Sequence, residues 1–189
     1  METEIYRWPG MSLLKLAVIV AVLLGIVSAE PARASVAPLQ VKPGRMTSPL
    51  LGGALFGGQA GEEFSIIAIN ENKIRDGVER VIISYGDRSG RPLRGTPGYF
   101  HVAVDRDGKR LAIDLAQVSR TAIDHKDLAK ILSKSQLISS SDMTMDPQDG
   151  STNITLNLRQ SAQVSMTAEA DGQGRIVLEL RTAKSTAAR

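Results

Sequence analysis

The chain of 189 residues contains no cysteine, which excludes a disulfide framework, a thiolate metal site and a lipid-modified cysteine anchor. Aromatic residues make up only 4% of it, and that weighs against a sugar-stacking cleft or a single-strand nucleic-acid platform, both of which need exposed rings. There are two histidines, His101 and His125, in different expected elements and with no second histidine at ligand spacing. A zinc-protease helix needs His-Glu-x-x-His, which is absent, and so is the Gly-x-Ser-x-Gly elbow of serine hydrolases. The net charge is +3, from 23 basic and 20 acidic residues. The first 34 residues carry three of each sign, so the remainder holds the whole +3, far short of a nucleic-acid footprint.

Residues Leu16 to Ala29 form an almost unbroken apolar run, with Lys15 before it and Ala32-Arg33-Ala34 after it. A basic residue, an apolar core of about 7–15 residues and a small-x-small site mark a secretory signal peptide. The run is shorter than the roughly 20 residues of a membrane span. Residues 1–34 are therefore read as a signal peptide cleaved after Ala34, with Ala29 as second choice; the alternative is an uncleaved N-terminal anchor. Glu2 and Glu4 weaken the positive n-region, and Met11-Ser-Leu-Leu-Lys15 makes a more typical start. The expected location is periplasmic or secreted.

Residues 35–63 show no sustained period and carry Pro38, Pro43 and Pro49, then Gly52, Gly53, Gly57, Gly58 and Gly61. This composition predicts a flexible linker. Its glycines lack the spacing and the following Lys-Ser/Thr or helix of a phosphate loop.

The folded domain is expected over 64–182, followed by a polar tail over 183–189. Phe64–Ile69 and Glu79–Tyr85 read as strands, the second with Val81, Ile83 and Tyr85 on one face. Phe100, Val102 and Val104 alternate, Asp107-Gly108 turns the chain, and Leu111, Ile113 and Leu115 return. A second hairpin repeats the pattern. Ile154, Leu156 and Leu158 precede Val164, Met166 and Ala168, Asp171-Gly172 turns, and Ile176, Leu178 and Leu180 return. Alternation with Asp-Gly between the runs is a hairpin signal. The segments Asp107–Leu115 and Asp171–Leu180 match with one extra residue in the latter, which predicts an internal duplication. Asp124 caps the one expected helix, with Leu128, Ile131 and Leu132 as its apolar stripe and Lys126, Lys130 and Lys134 on the other side. Gln136–Met145 reads as a further strand.

Few groups suggest chemistry. Asp142, Asp146 and Asp149 crowd one turn without calcium-loop spacing. Asp114 and Glu179 fall at equivalent hairpin positions, but nothing else implies a glycosidase cleft around them. No catalytic set, metal site or cofactor is expected.

The strands Arg80-Val-Ile-Ile-Ser-Tyr85, Pro97-Gly-Tyr-Phe-His-Val-Ala-Val104 and Gly108-Lys-Arg-Leu-Ala-Ile-Asp-Leu115 resemble the first half of an AMIN or AMIN-like domain. Asn153–Leu158, Ala162–Met166 and Gly174–Leu180 are similar to its second half. The Asn-Pro-Asp-Arg turn often seen before the family's third strand is replaced by Arg106-Asp-Gly-Lys109. The resemblance implies an all-β sandwich of two similar halves in the bacterial envelope, similar to the targeting modules of periplasmic amidases and the N-terminal part of pilus secretins, which associate with peptidoglycan. The expectation is an exported, non-catalytic module whose partner is peptidoglycan or an envelope protein, with no nucleic acid and a membrane only if the N-terminal segment stays uncleaved. Arg80, Arg110, Arg159, Arg175 and Arg181 are the candidate ligand contacts, since a planar guanidinium suits the carboxylates of peptide stems. The plain alternative is that they keep the sheet soluble and blunt its edges.

Overall fold

Apolar alternation and Asp-Gly turns give two stacked sheets. The computed structural model describes residues 37–183 apart from Glu62, Pro147 and Asp171; the expected signal peptide and most of the polar tail lie outside the described residues. Sheet I has the order β1 (Leu39–Gln40), β2 (Gly53–Gly57), β5 (Phe100–Val104), β6 (Arg110–Leu115), β9 (Ser151–Leu158), β8 (Ile138–Asp146). Sheet II has the order β10 (Ala162–Glu169), β11 (Arg175–Thr182), β4 (Val78–Gly86), β3 (Phe64–Arg75), β7 (Val118–Thr121). Among the described residues one short helix, α1, spans His125–Leu132. All neighbours are antiparallel except β1 with β2 and β3 with β7. This is the all-β sandwich the alternation predicts, and Val81, Ile83, Tyr85, Val102, Leu111, Ile113, Ile154, Leu156, Met166 and Leu178 fill its interior. Phe64 meets Tyr85 edge-on there, with ring centroids 5.9 Å apart.

The two halves exchange strands. In the first, hairpin β3–β4 lies in sheet II and hairpin β5–β6 in sheet I; in the second, β8–β9 lies in sheet I and β10–β11 in sheet II. Consequently β6 pairs with β9, and β11 with β4. The registers are equivalent: Asp114 faces Asn153 as Glu179 faces Arg80, and Ile113 faces Ile154 as Leu178 faces Val81. Within the hairpins, Val102 faces Ile113 as Met166 faces Leu178. The duplication expected from the two Asp-Gly segments is thus repeated in the ladders.

The linker expected over 35–63 is corrected. β2 pairs along the outer edge of β5, and β1 adds beside it. Between them the chain crosses to the equivalent edge in sheet II, where Gly44, Thr47 and Leu50 donate their N–H groups to the carbonyls of Ala168, Met166 and Val164 at 2.8, 2.9 and 2.9 Å. One strap therefore seals both equivalent edges. Val41 and Leu55 anchor it in the core. Proline and glycine hide such a segment from a periodicity reading, because an edge partner contributes mainly backbone hydrogen bonds and tolerates both residues.

Two further elements depart from expectation. β3 runs on past Ile69 to Arg75, because Asn70 and Asn72 stand exposed while the ladder to β4 continues. β7, four residues long, carries a weak pattern and was not expected; it adds parallel to the start of β3. α1 begins as its sequence predicts: Asp124 Oδ1 accepts from Asp127 N–H at 2.7 Å, and Leu128 and Leu132 are buried. Past its C-terminus, Glu79 of β4 (2% exposed) receives the Ser135 hydroxyl, the Gln136 N–H at 2.7 Å and the Leu137 N–H at 3.4 Å.

Candidate functional site: an arginine face on sheet II

Side chains of alternate residues share a face, so the rows across the outer face of sheet II follow from its register. The central rows run Ser165–Glu179–Arg80, Thr167–Val177–Ile82 and Glu169–Arg175–Ser84. Glu179 lies low between two guanidiniums. Arg80 donates to its Oε2 through Nε at 3.0 Å and Nη2 at 2.9 Å, and Arg181 donates to Oε1 through Nη2 at 2.8 Å. Burial works against the charge of Glu179, but the hydrogen bonds and charges of Arg181 and Arg80 outweigh it and hold its carboxyl below the usual range. Arg175 donates to Glu169 directly across the turn.

Three arginines against two glutamates leave this face with a net +1. The three side chains are partly exposed, at 40% for Arg80, 39% for Arg175 and 44% for Arg181. Their remaining N–H groups are therefore available to a second acceptor. A groove of about 630 Å³ lies between Arg80 and Arg175, floored by Thr167 and Val177 and walled by Pro43, Gly44 and Met46 of the strap. Thr167 is 7% exposed, and its hydroxyl has no partner among the described residues. A second groove, of about 690 Å³, opens at the far end of β11 beside Arg181, Arg75 and Gln163.

Of the five candidate arginines, Arg80, Arg175 and Arg181 are thus brought together. Arg110 and Arg159 are not. Arg110 stands opposite Asn157 in sheet I, and Arg159 borders a hollow of about 330 Å³ next to Ser139, Ser140 and Ser141. The sequence reading missed Glu169 and Thr167, and weighed Glu179 only beside Asp114. Glu169 was accessible to it, since Glu169 and Arg175 each stand three residues from Gly172 and the hairpin sets them opposite. Thr167 and the strap wall carry no such signal.

Of the other residues weighed from sequence, His125, Asp142, Asp146 and Asp149 have structural partners. His125 Nδ1 sits 3.0 Å from Asp142 Oδ1. Asp146 and Asp149 each accept a backbone N–H two residues on, both at 2.8 Å, and so build the turn. Asp114 and Glu179 lie in different sheets. Among the described residues no cluster of three or more acidic or histidine side chains is placed to hold a metal ion, and no helix is long and apolar enough to cross a membrane. No protein-family model matches the chain, and no curated protein matches it either.

Proposed function

We propose that the chain is an exported, non-catalytic binding module of the cell envelope, of the AMIN-like kind its strands resemble, and that it holds peptidoglycan through the carboxylates of the peptide stems. The observation that carries this reading is the convergence of Arg80, Arg175 and Arg181 on one sheet face beside two grooves. Glu179 fixes the direction of two guanidiniums, so little side-chain freedom is lost when an incoming carboxylate meets their remaining N–H groups. The test is co-sedimentation of the protein with purified sacculi at low and moderate salt. Retention is expected at both, because directed arginine pairs survive screening better than a diffuse +3. Combined alanine substitution of Arg80, Arg175 and Arg181 is expected to release the protein into the supernatant. Unchanged retention by that variant would sink the arginine assignment.

A second reading, a protein-interaction module, is favoured by the outer strands β1 and β8 of sheet I, each of which has a strand on one side only. Such an edge can add a strand from an envelope protein. Recovery of one stoichiometric partner from solubilised envelope, without sacculus binding, would select it.

A further inference from the structure

Among the described residues, the rings that the core leaves over stand together on the opposite face of the sandwich. Phe64, Tyr85 and Phe100 are buried, whereas Phe56 is 38% and Tyr99 50% exposed. Leu55 and Phe100 point inward, so alternation puts Phe56, Tyr99 and His101 on the outer face of sheet I. Phe56 and His101 are register partners, and Tyr99 is the diagonal neighbour of Phe56, within reach of a large ring. Beside Tyr99 the strap carries Gly58 at φ +92°, where a Cβ would come 2.1 Å from the Gly98 carbonyl oxygen. No side chain can stand there, and that side of the Tyr99 ring stays open.

The row continues as Phe56–His101–Asp114–Asn153 across four strands, roughly 14 Å at about 4.8 Å per spacing. The next row, Ala54–Ala103–Ala112–Thr155, is a low floor beside it. The internal duplication supplies a control. The equivalent row of sheet II, Ser165–Glu179–Arg80, is closed by ion pairs. In sheet I no hydrogen bond among the described residues engages the side chains of His101, Asp114 or Asn153, and all three are exposed. One copy of the row has become self-satisfied and charged, the other open, ringed and nearly neutral.

We propose that this face of sheet I binds a neutral glycan, an extended chain of pyranose units. A pyranose offers an apolar C–H face, which stacks on Phe56 and Tyr99, and a rim of hydroxyls that each donate and accept. Asp114 accepts, Asn153 does both, and His101 offers one of each when neutral, so the row matches a hydroxyl rim rather than a run of like charges. The low aromatic content of the sequence argues against a sugar platform, but the fold gathers the exposed rings of the described residues at one place. This site lies on the other sheet from the arginine face and does not rest on the peptide-stem reading.

The test is isothermal titration calorimetry of the protein with a β-1,4-linked N-acetylglucosamine tetramer, a probe with no carboxylate, so its result is separate from the sacculus experiment. Saturable binding is expected, weakened at least tenfold by Phe56→Ala and by Tyr99→Ala. Both residues are exposed, and unchanged thermal unfolding of the variants verifies that the fold is kept. Absence of binding at millimolar tetramer, or binding indifferent to both substitutions, overturns the proposal. So does sedimentation velocity showing a dimer that either substitution dissolves, which would make the face a contact between two copies of the chain.

Discussion

Removing the Glu79 carboxyl should unlock the segment that follows α1. The group is 2% exposed and stands on β4, more than fifty residues away in sequence from the three donors it receives. In Glu79→Ala the Leu137 N–H keeps the Ser135 Oγ, at 3.1 Å, as an acceptor. The Gln136 N–H and the Ser135 hydroxyl lose theirs. A buried donor left without a partner costs about 1–3 kcal/mol; the Ser135 hydroxyl is one, whereas Gln136 is exposed and its N–H loses less. Relief of the carboxyl's own burial offsets part of that, and we expect a net loss of about 2 kcal/mol. Glu79→Gln keeps one acceptor oxygen and should lose roughly half as much. The assay is urea unfolding followed by circular dichroism, read as a shift in midpoint at constant slope. A loss below about 1 kcal/mol in Glu79→Ala would refute the reasoning, since the donors would then have found other acceptors.

Three other outcomes follow from groups elsewhere in sheet II. The Tyr85 hydroxyl is buried without a partner among the described residues, and burial, with Asp114 adding to it, pushes the phenol far up. Tyr85→Phe should be neutral or stabilising by up to about 1 kcal/mol in the same unfolding assay, and a clear destabilisation would mean that the hydroxyl is satisfied. Glu179 and Glu71 should bend the pH profile in opposite directions. Glu179 is held below the ordinary glutamate value of about 4.3, so its contribution is complete above that pH and is lost as pH falls through the lowered value; Glu179→Gln should flatten the acid limb between pH 5 and 2. Glu71 is raised by burial and then by the neighbouring Glu79, so its contribution is present below the ordinary value and lost as pH rises through the raised one. Glu71→Gln should therefore raise the unfolding midpoint at pH 7 and leave it unchanged at pH 3.

The parts of this fold that the sequence announced are those where side chains decide. Val102 and Ile113 face the core from strands with one buried side, and Met166 and Leu178 alternate with the polar Ser165, Thr167 and Glu179, so a period of two records all four directly. The Asp107-Gly108 turn was equally plain, because Gly108 adopts φ +64° and a Cβ there would press on the Ala162 carbonyl. Where the backbone decides, the sequence was silent. The strap at Gly44, Thr47 and Leu50 is held by N–H groups that every non-proline residue owns. The candidate site divides in the same way. Residue type singled out the five arginines, but only the strand exchange between the halves sets Arg80 against Glu179, 99 positions along the chain, while leaving Arg110 on the other sheet and Arg159 in the connection from β9 to β10.

That exchange also fixes an order of events. The middle of sheet II is the pair β11–β4, which joins the last strand among the described residues to one of the earlier ones. A nascent chain that has reached β9 can complete sheet I from β1 to β8, yet its β4 still shows an unpaired edge. Only when Arg175–Thr182 emerges can that edge close and Glu179 settle between Arg80 and Arg181. Long-range pairing of this kind is slow, and an edge left waiting is open to wrong partners. The arginine face is thus the last part of the molecule to be assembled, and a chain cut short before β11 has none.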